Sequence, residues 1–365
     1  MKNIILSAIC YCIIIFTQCN KQDKRVKLTS DSEVPVIYSS DLWTPPGDPD
    51  DHFDLASLFS LKNLDIKAVI LDNTMQDNMK RTGVEKKPNY EAVKKIAVLF
   101  NRDEVPAQAG LNEPLHSTAD NGLNHPEGEQ KAIELILKQL KSVEDSSAVF
   151  ISTGSLRDIC AAYNREPDLF QAKVKKLYVS LGDSYGTTGI KDTNVAKDIE
   201  AWKGIINSGL PVYWMPTNPS KGRGGISRYV SYWHFVQSEL MLEVPERIRQ
   251  FFISEGILVH AHSELPVRPM WSTPGIIEAA ALNCYKINGE LHWMPAHKAK
   301  EIPKAALMKP YEFVPIKFSV DKAGGITWEE VNQGETSSVR IFKINDYFLY
   351  NEAMFQFLLK QLNSL

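Results

Sequence analysis

The sequence has little of several features that mark whole classes of protein. Its 365 residues carry 41 basic and 44 acidic side chains. The formal net charge of −3 lacks the basic excess of a nucleic-acid-binding protein, so we expect no nucleic-acid partner. No linker rich in Gly, Ser or Pro and no internal repeat is visible, which argues against separate modules and solenoids. The absences therefore favour one large folded unit, which we place at residues 34–365.

Cysteine is also scarce, with five in the chain. Three of them fall within the first 19 residues, and the two that remain, Cys160 and Cys284, are too few and too far apart for a disulfide scaffold or a zinc cluster. Each is expected to be a small buried residue.

The N-terminal segment predicts export. Lys2 precedes an apolar run at residues 4–16 that is too short to span a bilayer, and Cys19 follows it. We interpret residues 1–19 as a bacterial lipoprotein signal and residues 20–33 as a flexible tether. Gln18 is larger than the residue usual before a lipidated cysteine, so cleavage without lipidation stays open. The predicted location is periplasmic or outer-membrane-associated, with membrane contact only through an anchor at Cys19.

The rest of the chain alternates two hydrophobic patterns. Short apolar runs at 35–40, 66–71, 107–110, 148–151, 176–180 and 211–215 indicate strands. Helical spacing separates them, for example at 129–140, 156–163 and 196–207, and it recurs at 228–239 and 276–282. This alternation predicts an α/β fold with a mostly parallel central sheet and helices on both faces.

Carboxylates are crowded after the first predicted strand. Asp41 ends the strand, and Asp48, Asp50, Asp51 and Asp54 follow within a few residues of one another. Carboxylates this close either splay into solvent, share protons or surround a hard cation such as Ca²⁺ or Mg²⁺. A polar turn with acidic residues at a helix start is the plainer interpretation.

Polar residues also follow three other predicted strands. Asn73, Thr153 and the pair Asp192 and Asn194 come after the strands near 66–71, 148–151 and 176–180. Each could be a turn residue or a helix cap. In a parallel sheet, however, all of them would lie along one edge, where such folds bind ligands.

Five segments in this order resemble the nucleoside hydrolases, enzymes that cleave N-ribosides such as inosine and uridine. The likeness runs from about residue 35 to residue 217 and more faintly beyond. It rests on Ser39-Ser40-Asp41, Asp50-Asp51, residues 105–110, Ser152-Thr153-Gly154-Ser155-Leu156-Arg157-Asp158, and Asp192-Thr193-Asn194 with Asp198-Ile199-Glu200-Ala201.

The resemblance implies hydrolysis of a nucleoside or related riboside, in purine or pyrimidine salvage, by a water bound to Ca²⁺. Asp41 would take the proton from the water and also bind the metal, with Asp51, the Thr153 carbonyl and Thr273 as further metal ligands. Asp50, Asn73, Asp192 and Asn194 would hold the sugar. A homo-oligomer stays open.

The sequence departs from the family at three places. Ser39 replaces an aspartate, and the histidine of a family loop is missing, although His116 and His125 flank that loop. A late His-Asp-Pro triplet falls at Ser272-Thr273-Pro274, and a hydroxyl is a poorer Ca²⁺ ligand than a carboxylate. His260, His262 and Glu264 are possible replacements. Two alternatives follow: a sugar-binding lipoprotein that has lost turnover, or a glycosidase that acts on other sugars.

Overall fold

The structure is a computed structural model that describes residues 33–46, 49–74, 85–184, 192–218, 227–257, 267–332 and 334–365. Residues Glu33–Leu365 belong to one compact unit. The predicted export signal, the tether up to residue 32, Asp48, His260, His262 and Glu264 lie outside the described residues, and the predictions made for them stay predictions. Among the described residues, no helix is both long and apolar enough to cross a membrane.

The centre of the fold is a nine-stranded sheet. Seven neighbouring strands run parallel, and an antiparallel pair continues the sheet at one edge. The predicted mostly parallel sheet is thus confirmed. The strands are β1 Val34–Ser40, β2 Trp43–Thr44, β3 Leu64–Leu71, β4 Lys87–Pro88, β5 Ala107–Ala109, β6 Ala148–Ser152, β7 Val174–Ser180, β8 Val212–Met215, β9 Trp233–Val236, β10 Val267–Met270, β11 Leu282–Ile287, β12 Glu290–Pro295, β13 Ala306–Met308, β14 Tyr311–Val320, β15 Ile326–Glu330 and β16 Val339–Ile344.

The order of the strands creates a switch point beside β1. The sheet reads β5-β3-β1-β6-β7-β8-β16-β14-β15, so the chain builds one side of β1 first and then crosses to the other side. In such sheets a crevice opens at the carboxyl ends of the two strands that flank the switch point. Ser39 of β1 pairs with Ser152 of β6, and the next backbone N–H, that of Thr153, donates to the Ser39 carbonyl at 2.8 Å. Asp41 and Thr153 therefore leave the sheet side by side.

Helices cover both faces of the sheet, as predicted. Phe53 and Phe357 belong to the apolar core on one face, and Ile133 and Trp202 belong to the core on the other. The helices are α1 Asp50–Ser60, α2 Tyr90–Leu99, α3 Lys131–Lys141, α4 Arg157–Arg165, α5 Pro167–Lys173, α6 Thr193–Lys197, α7 Ile199–Ile206, α8 Gln237–Glu243, α9 Glu246–Ser254, α10 Thr273–Ala279, α11 Ala296–Ala299 and α12 Tyr347–Leu362.

Three predicted helices differ from those in the structure. The helix expected at 196–207 is divided at Asp198, whose extended backbone and side-chain bond to the Ala201 N–H start a new helix. Much of the pattern at 228–239 forms β9, because its backbone pairs with β10, and helix α8 begins only at Gln237. The helix expected at 276–282 ends at Ala279, and Leu282 opens a hairpin of β11 and β12.

Candidate active site

Asp41 and Asp51 form a carboxyl pair at the switch point, in which Asp51 is buried and the Asp41 side chain is 20% exposed. Asp41 follows β1 directly, and Asp51 lies in the first turn of α1 with 5% of its surface exposed. The two carboxyls lie close enough for each to shift the pKa of the other. Burial and then the charge of Asp41 raise the pKa of Asp51 well above its ordinary value. Burial and the neighbouring Asp41 charge thus act together against ionisation of Asp51.

Lys197 supplies the positive charge of this site. Its ammonium forms an ion pair with Asp41 and donates to Asn194 Oδ1 at 2.7 Å. The ammonium also lies 4.6 Å from the ring centroid of buried Trp43. Burial acts to lower the pKa of Lys197, but Asp41 and Asp72 outweigh it and raise that pKa. Burial likewise acts to raise the pKa of Asp41, and Lys197 reverses this to a net lowering.

The four residues predicted to hold a sugar differ in their contacts. Asn194 joins the site, because its Nδ2 donates to the Thr153 carbonyl at 2.8 Å. Asp192 caps α6 through the Val195 N–H at 2.8 Å and accepts from the Thr217 hydroxyl. Asp50 is the first residue of α1. Asn73 follows β3, and its Oδ1 is buried with no hydrogen-bond partner among the described residues.

Thr273 forms hydrogen bonds with Asp54 and Trp233. Its hydroxyl donates to Asp54 Oδ1 at 2.8 Å and accepts from Trp233 Nε1 at 3.1 Å. Asp54 is fully buried, and burial raises its pKa to about 7 although the Thr273 bond acts against this. The hydroxyl at the late triplet is thus engaged with Asp54 rather than with Asp41 or Asp51.

Replacing Asp54 with asparagine is expected to flatten the pH dependence of stability. The folded-state pKa of about 7 exceeds the ordinary 3.8, so the folded protein keeps a proton that the unfolded chain releases. The free energy of unfolding therefore falls as the pH rises between these values, by about 4 kcal/mol at most for roughly three pKa units. Asparagine is neutral at every pH and can still accept the Thr273 bond.

Urea unfolding on either side of this pH window measures the effect. The buried acid Asp158, whose pKa burial also raises to about 7, is present in both proteins, so its contribution cancels in the comparison. An equal fall of stability in wild type and variant would show that Asp54 is not responsible.

The likeness of this chain to known proteins covers more of the chain in structure than in sequence. No family model matches the chain. Uncharacterized protein C1683.06c of Schizosaccharomyces pombe is 25% identical over 137 residues, which are 32% of this chain and 44% of that protein. A plant nucleoside hydrolase, the PpNRh1 enzyme, superposes with a TM-score of 0.56 at 12% identity, over 91% of this chain and 99% of that one.

Two further solved structures also superpose on this chain. The purine-preferring ribonucleoside hydrolase from Gardnerella vaginalis gives a TM-score of 0.52 at 13% identity, covering 91% of this chain and all of that one. An inosine-guanosine nucleoside hydrolase gives 0.52 at 13% identity, covering 90% and 98%. This chain has the nucleoside hydrolase fold.

The contacts of the predicted metal ligands decide whether a metal ion fits this site. Asp51 Oδ1 is buried with no hydrogen-bond partner among the described residues, which is compatible with a cation. Of the other predicted ligands, Asp41 is paired with the Lys197 ammonium, whose positive charge opposes a cation at the same carboxylate, and the Thr273 hydroxyl is bonded to Asp54. The Thr153 carbonyl accepts one bond, from Asn194. Calcium takes six to eight oxygen ligands. The residues do not fit a calcium ion while Lys197 lies at Asp41.

Lys197 is a residue of the candidate site that the sequence interpretation missed. It lies three positions after Asn194 and directly before Asp198, so helical spacing puts it on the same face as Asn194. That spacing was a usable signal. A second missed feature is a His116, Asp120 and His125 group, whose ligand atoms lie within 4.8 Å of one another.

The approach of the β6–α4 turn to the carboxyl pair needs a glycine. A Cβ at Gly154 would lie 2.7 Å from Asp72 Oδ2 and 3.0 Å from the Asp41 backbone nitrogen. Asp72 Oδ2 in turn accepts the Ser155 N–H at 2.6 Å. The turn therefore packs directly against the residues that carry the candidate chemistry.

Proposed function

We propose that the protein hydrolyses the N-glycosidic bond of a nucleoside or related riboside. The observation that carries the proposal is the Asp41 and Asp51 carboxyl pair at the switch point of a nucleoside hydrolase fold. Two solved structures with this fold are named as hydrolases, one of purine ribonucleosides and one of inosine and guanosine. The carboxyl pair and these names together favour hydrolysis of an N-glycosidic bond.

The chemistry matches the charges of the site. In glycoside hydrolysis the sugar carbon becomes oxocarbenium-like and positive, so carboxylates beside it lower the energy of the transition state. Water attacks the anomeric carbon, its proton passes to Asp41, and the base leaves as the C–N bond breaks. Asn194 and the other predicted sugar ligands, Asp50, Asn73 and Asp192, would orient the ribose.

We also propose that Lys197 is the resident cation of the cluster. It holds one Asp41 oxygen and Asn194, and so it fixes both groups relative to the sugar. The calcium ion implied by the resemblance is the alternative occupant of this position, and no step of the reaction above depends on it.

Excess EDTA is expected to leave the turnover of the wild-type protein unchanged, because the ammonium remains in place. The Lys197→Ala variant should lose turnover and regain part of it when calcium is added, since Asp41 and Asp51 are then free to bind an ion. Ribose release, measured with and without EDTA, decides the question. Loss of wild-type activity in EDTA and its restoration by calcium would instead establish calcium as the cofactor.

The experiment that tests the function is a panel of purine and pyrimidine nucleosides, with O-glycosides of other sugars as comparators. Ribose and free base should appear from at least one nucleoside and not from the O-glycosides. Consumption of O-glycosides alone would favour a glycosidase for other sugars and overturn the proposal.

A second candidate is a nucleoside-binding protein without turnover. The ion pair with Lys197 favours it, because this pair lowers the pKa of Asp41 and so weakens Asp41 as a base. Titration calorimetry with the same nucleosides separates the candidates. Tight binding with no product would support the binder, and product formation would support the hydrolase.

A further inference from the structure

Two histidines and an aspartate meet in the loop between β5 and α3. His116 Nδ1 lies 3.0 Å from Asp120 Oδ2, and His125 Nε2 lies 3.6 Å from the same oxygen. Within the described residues, this is the one group of three His, Cys, Asp or Glu side chains with ligand atoms so close together. The reaction proposed above uses none of these residues.

His125 points a buried nitrogen into this cluster. Its side chain is 3% exposed, and its Nε2 has no hydrogen-bond partner among the described residues. An unsatisfied buried polar atom is costly, so such an atom normally marks a missing partner. Asp120, which is 7% exposed, is the neighbouring group on that side. The nitrogen is therefore placed where an ion would satisfy it.

The loop is held rigidly in this shape. The Asp120 carboxylate accepts the backbone N–H groups of His116 and Gly122, each at 2.9 Å. From α4, Asn164 Nδ2 donates to the Asp120 carbonyl at 2.8 Å. Gln130 Nε2 holds the His125 carbonyl at 2.7 Å. These bonds fix the three ligand residues before any ion arrives, which lowers the cost of binding one.

The ligand atoms of this cluster, two imidazole nitrogens and a carboxylate oxygen, determine which metal ions it favours. Imidazole nitrogen suits zinc and its neighbours in the first transition row, whereas calcium prefers oxygen alone. In a tetrahedral zinc site with bonds of about 2.0–2.1 Å, ligand atoms lie roughly 3.3 Å apart. The two distances to Asp120 Oδ2, 3.0 and 3.6 Å, bracket that value. His116 is 76% exposed, so the cluster is open to solvent on the side of this residue.

We propose that His116, Asp120 and His125 form a binding site for Zn²⁺ or a similar transition-metal ion, separate from the Asp41 and Asp51 pair. The ion would be held by two imidazoles and one carboxylate, with water as the fourth ligand. It would tie the loop ends on either side of Asp120 together.

Zinc binding to the full chain without a histidine tag tests the site. Equilibrium dialysis followed by metal analysis should find one tightly held Zn²⁺ per chain, and Co²⁺ should give the visible absorption of a tetrahedral ion. His116→Ala, a change at an exposed side chain that leaves folding intact, should abolish both signals. His125→Ala should do the same.

His292→Ala is the matched control, because His292 also lies beside a carboxylate, 3.8 Å from Glu290, but belongs to no three-ligand group that the described residues form. It should retain the ion. Equal zinc binding by wild type and His116→Ala would overturn the proposal, as would the absence of zinc binding by the wild type.

Discussion

Replacing Asp41 with asparagine is expected to reduce ribose release from the best nucleoside substrate by about 10²- to 10⁴-fold, the usual contribution of a positioned base. Asparagine keeps the size of the side chain but cannot accept the proton from the attacking water. The effect should appear in kcat and in kcat/KM, because the lost proton transfer belongs to the transition state. Steady-state kinetics on the purified variant measures it.

The control for this variant must account for Lys197, the partner of Asp41 in the ion pair. Asp41→Asn leaves the Lys197 ammonium without its carboxylate, so the Asp41→Asn/Lys197→Met variant is made alongside, in which both charges are removed. This double variant should fold like the wild type and remain inactive. Recovery of turnover in it would assign the loss to the unpaired lysine, and wild-type turnover in Asp41→Asn would refute the base assignment.

Replacing Arg157 with methionine is expected to destabilise the folded protein by about 3–5 kcal/mol, the usual cost of removing one partner of a buried ion pair. Arg157 Nε donates to Asp198 Oδ2 at 2.9 Å, and the two side chains are 2% and 0% exposed. The other guanidinium nitrogens donate to the carbonyls of Leu111, Asn112 and Lys197. Methionine fills part of the volume but satisfies none of these acceptors.

Urea unfolding of Arg157→Met against Lys203→Met provides the comparison. Lys203 pairs with Glu200 at 2.8 Å on the partly exposed side of α7, a setting in which an ion pair is worth about 1 kcal/mol or less. Similar losses in the two variants would show that the Arg157 network adds nothing beyond a surface pair. A much larger loss in Arg157→Met is the expected result.

The sequence predicted the parts of the site that depend on strand ends. Asp41 and Thr153 follow short buried strands, and parallel pairing alone brings such residues to one edge. Lys197 could not be placed in the same way, because its position depends on the break between α6 and α7 at Asp198. That break rests on capping and on a buried pair with Arg157, 41 positions earlier in the chain.

The late triplet shows a similar limit. Its replacement by Ser272-Thr273-Pro274 was visible in the sequence, but the partner of Thr273 was not. Thr273 bonds Asp54, which lies 219 positions away and had no predicted role. Helical spacing places Asp54 on the face of α1 that Asp51 also occupies, but only tertiary packing decides what that face meets.

Because β1 lies between β3 and β6, the site can form only after both sides of the sheet have folded. Residues before the crossover build β1, β3 and β5, and residues after it supply Thr153, Asn194 and Lys197. Neither half of the sheet contains a complete carboxyl pair with its cation. The Asp41 and Lys197 ion pair therefore forms only when both halves have joined, and its presence reports complete rather than partial folding.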